Sequence, residues 1–334
     1  MNNANSIKLN DSEIIQTIHG YQKKKKVINV VLFILYLGIL GGFFAAVFFM
    51  AWSNGILAIV STVVAIICIP VCNVLSKQVK KVEKELKLFY GENVTKSVIA
   101  ERIDIEEYDP DSCFKSKFVR SSGIVPNFFD NIYGSDYIRG YYKGKKIVYS
   151  DIKLEYIKKY KDSDGRKHTT SVIVFQGPFL SLYLTKNIEG YVKICERQNP
   201  KKKKGFITEL LTNALYSAGI KLGPDEIEVE SVEFNNRFEI TTDNKELAFY
   251  ILTPNFMENI IKADELANGY TNIKFDENRA KIAINNGYDA FELSKTIFNE
   301  KRLEEVRQNI RNDLNILLAI IDEILEKERL FEAQ

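Results

Sequence analysis

Few residues in this chain have the chemistry of a catalyst. It holds two histidines, His19 and His168, and four cysteines, Cys68, Cys72, Cys113 and Cys195. A zinc site needs such ligands in closely spaced pairs, and neither histidine has a cysteine or a second histidine at that spacing. His168 closes a polar turn that begins at Lys161, and His19 lies in the N-terminal segment. Cys68 and Cys72 stand four apart in an apolar stretch, where small apolar packing outweighs metal binding. Cys113 and Cys195 are expected to be reduced thiols. Asp104, Glu106, Glu107, Asp109 and Asp111 form an acidic run. Paired carboxylates can do acid–base work, but such a run more often answers nearby lysines. Glycine-rich phosphate loops, HExxH and the nucleophile elbow are absent from the sequence. The reading therefore assigns no catalytic residue, no cofactor and no metal ligand.

The elements that would position any chemistry are dominated by residues 27–75. Val27–Trp52 and Ile56–Leu75 are two charge-free apolar runs separated by Ser53, Asn54 and Gly55. A helix rises about 1.5 Å per residue, so roughly 20 apolar residues cross a hydrocarbon core. The pattern predicts a transmembrane helical hairpin. Both runs are too long for the apolar part of a signal peptide. Lys23, Lys24, Lys25 and Lys26 precede the first run, and Lys77, Lys80 and Lys81 follow the second. By the positive-inside rule both ends are cytoplasmic, with Trp52 as an interfacial aromatic at the outer turn. Gly38, Gly42 and Ala46 on the first helix, with Ala58 and Ala65 on the second, form small-residue faces that let helices approach closely. Those faces fit pairing within the hairpin or dimerisation. The span carries no ionisable group, which speaks against an ion path.

Charge is unevenly distributed. Residues 1–26 and residues 76–87 each carry +3, so a total of +2 leaves residues 88–334 at −4. An acidic body with basic membrane flanks argues against nucleic acid as a partner. It favours a bilayer with anionic headgroups.

Along the chain, Asp11–Gln22 reads as a short amphipathic surface helix or as a disordered terminus. Ser76–Phe89 continues the second helix, with Gly91 as a stop and another short helix over Val94–Ile103. Asp109–Lys117 reads as a polar linker. From Phe118 the period becomes that of strands. Hairpins are predicted around Lys143-Gly144, around Asp162–Gly165, and around Asp276–Asn278. Helices are expected over Phe206–Ala218, from Thr253-Pro254 with Leu266 facing inward, and over the last 30 or so residues. The four-lysine run Lys201–Lys204 reads as a solvated loop or as a contact for anionic headgroups. The fold class is a membrane-anchored α+β protein: the hairpin, juxtamembrane helices over 76–117, then residues 118–334 as a mostly antiparallel sheet domain with packed helices and a long C-terminal helix. That domain is one body or two, divided as 118–200 and 205–334.

Val229–Phe234, Phe238-Glu-Ile240, Thr242-Asp243, Ala248–Pro254 and Phe256-Met257 resemble an uncharacterised bacterial family, a domain of unknown function (DUF) behind two membrane helices, some members of which are labelled galanin. Gly140–Gly144 and Phe291-Glu292 fit the same pattern. The resemblance covers most of residues 76–300 and implies a bacterial inner-membrane protein. The family carries no assigned activity, so no site residue follows from it. The expectation is a membrane-tethered cytoplasmic binding or adaptor module, with a protein partner or self-association through the C-terminal helix. A membrane-face enzyme or sensor, or a transport subunit, are the alternatives.

Overall fold

A computed structural model describes residues 9–52, 54–162, 164–197, 225–291 and 299–332. Two helices come first, α1 (Asp11–Ala51) and α2 (Gly55–Tyr90). The expected short surface helix is instead the first part of α1, which runs unbroken for 41 residues. Its start is fixed by a capping box: the Asn10 side chain accepts from the Glu13 N–H (2.9 Å) while Glu13 reaches back to the Asn10 N–H (2.9 Å). This satisfies two of the orphan donors that every helix start leaves. Gly91 does not stop α2. Its φ of −54° is right-handed, so the chain continues through a π-turn (Gly91–Thr95) into α3 (Lys96–Ile99).

The remaining elements are β1 (Asp104–Asp109), α4 (Ser116–Ser122), β2 (Asn131–Tyr142), β3 (Lys145–Lys161), β4 (Lys167–Glu196), β5 (Asp225–Ile227), α5 (Val232–Arg237), β6 (Phe238–Thr242), α6 (Lys245–Ile251), α7 (Pro254–Ala267), β7 (Tyr270–Asn285) and α8 (Glu300–Glu332). The strands form one antiparallel sheet in the order β1-β2-β3-β4-β6-β5, with β7 also paired to β4. The fold is therefore α+β, two long apolar helices followed by an antiparallel sheet and a long C-terminal helix.

Contacts divide the chain into two compact units: residues 1–95 with 293–307, and residues 96–292 with 308–334. In the first unit α1 and α2 pack along each other. Their outer faces expose large apolar side chains, Phe44 at 76% and Ile56 at 77% among them. Asp11 pairs with Arg307 at 2.7 Å.

The second unit holds the sheet. β4 crosses it whole, pairing along its first half with β3 and along its second with β6 and β7. Both of the expected sub-bodies thus contribute to one sheet. Three expectations change here. Residues 109–117 are not a linker: β1 ends within them, α4 starts, and Phe114 enters a core with Val119, Phe129, Leu154, Phe175 and Phe179. The hairpin expected around Asp276–Asn278 is one strand, β7, because both of its halves pair with β4. Leu266 is 68% exposed, while Phe256, Ile260 and Ile261 of α7 are buried as their spacing requires. Phe206–Ala218 and Lys201–Lys204 lie outside the described residues. From Leu314 onward α8 buries Leu314, Leu317, Leu318, Ile321 and Ile324; each such burial contributes about 1.5–3 kcal/mol.

Candidate functional site

Strand β4 does not keep step with β7. Tyr183 lies opposite Arg279, Ile188 opposite Glu277, and Tyr191 opposite Asp276. β4 therefore carries surplus residues that its partner cannot pair, and surplus residues bow a strand out of the ladder. The excursion is pinned from β6. Gly190 sits at φ +88°, and a Cβ there would fall 2.5 Å from Asp243 Oδ1. The same Oδ1 accepts the Tyr191 N–H (2.6 Å). Asn244 donates from Nδ2 to the Glu189 carbonyl (3.0 Å) and accepts the Leu247 N–H (3.0 Å), which starts α6. One turn thus holds the bulge and launches the helix beside it.

Between the bulge, α6, α7, β7 and α8 lies a void of about 160 Å³. Ile251, Phe256, Phe275 and Ile324 are buried and form its floor, and half-buried Leu184, Ile188 and Leu247 form its mouth. Lys186, Glu189 and Lys327 also line it, together with the buried Glu328. Glu328 is already engaged: it pairs with Lys145 at 2.8 Å and accepts the Thr185 N–H. Ligand sites of this kind are concave and mainly apolar, with a few polar groups that orient what binds. This one therefore suits a short apolar group, a ring or several methylenes, with a polar end left at the edge.

The acidic run does not converge on a site. Glu106 and Glu107 each pair with Arg139 at 3.1 Å, and Asp109 accepts the Asp111 N–H (2.9 Å). Asp104 is exposed on β1. Glu107 and Asp109 border a second, polar cleft with Arg139 and Arg279. There the Arg279 guanidinium lies 4.4 Å from the Tyr183 ring centre and 5.3 Å from that of Phe118. His168 binds Asp162 at 2.6 Å at the tip of the β3–β4 turn.

The membrane-flank residues fall on α1 and α2. Lys23, Lys24, Lys26, Lys77, Lys80 and Lys81 are exposed, and Lys25 pairs with Glu83 at 2.8 Å. Trp52 is 75% exposed after the end of α1. Ala46, Ala58 and Ala65 are buried, and a Cβ on Gly42 would lie 3.1 Å from that of Ala65. Gly38 has open space around it. Sequence reasoning missed the cavity, because bulge residues obey neither the strand nor the helix period. Gly190 inside a strand pattern was the one local signal for it.

Residues 173–325 match the model of DUF3137, a family of proteins of unknown function. The match begins within β4 and ends in α8, and it contains the segment 229–260 on which the resemblance rests. No curated protein matches the chain. Among solved structures, the crystal structure of the mycobacterial trehalose monomycolate transport factor A, TtfA, aligns at 9% identity over 68% of this chain and 93% of that one, with a TM-score of 0.31. A likeness that loose transfers neither fold nor role.

Proposed function

We propose that this chain is an integral membrane protein whose second unit is a binding module for a small amphiphile. The apolar part enters the void beside β4, and the polar end stays among Lys186, Lys327 and Glu189. The observation that carries this reading is the void itself, lined by four buried apolar side chains, with Glu328 the one buried charged group among its lining residues and already paired with Lys145. α1 and α2 are long and apolar enough to cross a membrane. An anchor of that kind keeps the module at a lipid surface, where amphiphiles are the most abundant apolar solutes. In this reading both termini are cytoplasmic, since lysines flank the spans on the side of the termini and the connecting turn has none. The exposed lysines then rest against anionic headgroups, each worth about 1 kcal/mol near the surface.

The test is thermal unfolding of the full chain in lipid nanodiscs with added fatty acids of increasing length. A ligand that binds only the folded state raises the midpoint with concentration. The reading expects a saturable rise that disappears in Ile188→Trp, whose indole fills the mouth of the void. Absence of any rise, or an equal rise in Ile188→Trp, would overturn it.

A further inference from the structure

Three aspartates far apart in sequence meet inside the second unit. Asp136 and Asp151 are buried, Asp289 is half-buried, and one oxygen from each lies within 4.8 Å of the others. Asp136 stands in a β2 bulge, between Ser135 and Ile138, at the left-handed φ of +54°. Asp151 lies opposite Ser135 on β3, and Asp289 follows β7.

Each carboxylate is oriented by a hydroxyl. Tyr108 donates to Asp136 Oδ1 (2.5 Å), Tyr149 to Asp151 Oδ2 (2.7 Å), and Ser135 to Asp289 Oδ2 (2.5 Å). The second oxygen of Asp151 is different. Asp151 is 2% exposed, and its Oδ1 is buried without a well-formed hydrogen bond, the Ala290 N–H being the one backbone donor that acts on this carboxyl. Leaving a buried charged acceptor unpaired is costly.

The same unit treats its other buried carboxylates otherwise. Asp264 has Arg237 at 2.5 Å and Glu328 has Lys145 at 2.8 Å. Among the described residues, neither Asp151 nor Asp289 forms an ion pair.

We propose that Asp136, Asp151 and Asp289 form a binding site for a hard divalent cation of the calcium class. The donors are all carboxylate oxygens, the set that Ca²⁺, Mg²⁺ and Mn²⁺ prefer. Calcium binds oxygen at about 2.3–2.6 Å, so ligands within 4.8 Å of one another can share one such ion. Tyr108, Tyr149 and Ser135 are the outer groups that aim the ligands, a role worth about 10–100-fold in affinity at other metal sites. The site is independent of the apolar void, and either proposal can fail alone.

The test uses the full chain in detergent micelles after chelator treatment. Ca²⁺, Mg²⁺ and Mn²⁺ are titrated separately by calorimetry, with thermal unfolding and near-ultraviolet tyrosine dichroism followed in parallel. The expected result is one saturable site, a rise in the unfolding midpoint and a change in the tyrosine signal. Asp289→Asn, at a less buried position, weakens binding at least about tenfold and removes the tyrosine change. Asp151→Asn loses the cation-dependent rise. No binding up to millimolar cation would overturn the proposal, as would undiminished binding in Asp289→Asn. So would an Asp151→Asn chain more stable than the parent at every cation concentration, which would mean that the carboxyl groups share protons instead.

Discussion

Arg237 stands among three carboxylates, at 2.5 Å from Asp264, 3.1 Å from Glu265 and 3.9 Å from Glu196. Burial and the neighbouring Asp264 push Glu196 up to about 7. The folded chain thus keeps a proton on Glu196 that the unfolded chain releases near pH 4.3. Stability from this group is full below about pH 4.3 and is lost as the pH rises through about 7. Glu196→Gln is expected to flatten that part of the pH–stability curve and to be the more stable form at pH 8, as chemical denaturation at several pH values would reveal. Arg237→Met goes the other way. It leaves Asp264, whose side chain is fully buried, without its cation, and should cost about 3–5 kcal/mol at neutral pH. These carboxylates were not legible in the sequence. Asp136, Asp151 and Asp289 obey no motif spacing, and only the closure of β2 on β3 and the return of the chain after β7 bring them together. Of the acidic run at 104–111, which is visible in the sequence, Glu106 and Glu107 are tied up by Arg139.

Elements were legible where local chemistry and tertiary pairing agree. Lys143-Gly144 turns β2 into β3 with both residues at positive φ, 49° and 78°, the geometry such a two-residue turn requires. Pro254 begins α7 in the first turn, as its fixed φ favours, while the Thr253 side chain at the N-cap makes no capping hydrogen bond. They misled where pairing overrides local signals. Asp276–Asn278 looks like a turn, yet Glu277 takes φ 51° within a strand whose halves both pair with β4. Gly91 offers a helix stop that packing does not use, since Gly91, Val94 and Thr95 are all buried. Glycine at close approaches gives a sharper prediction. Gly177 has φ +144°, and a Cβ there would fall on the Ile284 carbonyl oxygen. Gly177→Ala should therefore destabilise the second unit through both strain and clash, lowering the unfolding midpoint. On the helices, Gly42→Ile meets Ala65 and the Ser61 carbonyl, whereas Gly38→Ile meets open space. The first should loosen α1 from α2 and the second should not, as cysteine cross-linking between the helices would report.

At the scale of the whole molecule, two long apolar helices precede a unit with a void sized for an apolar group. The two long apolar helices were legible from composition, because their length and absence of charge suffice to define them. The void was not, because it depends on where a long strand loses register. The orientation carries its own expectation. A cysteine introduced at Asn54 should label from outside intact cells with a membrane-impermeant maleimide, while Cys113 and Cys195 label only after permeabilisation and denaturation. Labelling of Cys113 or Cys195 on intact cells would reverse the topology. The central claim is that the void beside β4 holds the apolar part of an amphiphile. Its most direct measurement is photolabelling of the full chain in native membranes with a diazirine-bearing fatty acid, followed by peptide mapping. The account predicts adducts on residues 184–189, 247–256 and around Ile324, in addition to those on the spans, and their loss in Ile188→Trp. Adducts confined to residues 27–75, unchanged by Ile188→Trp, would contradict it.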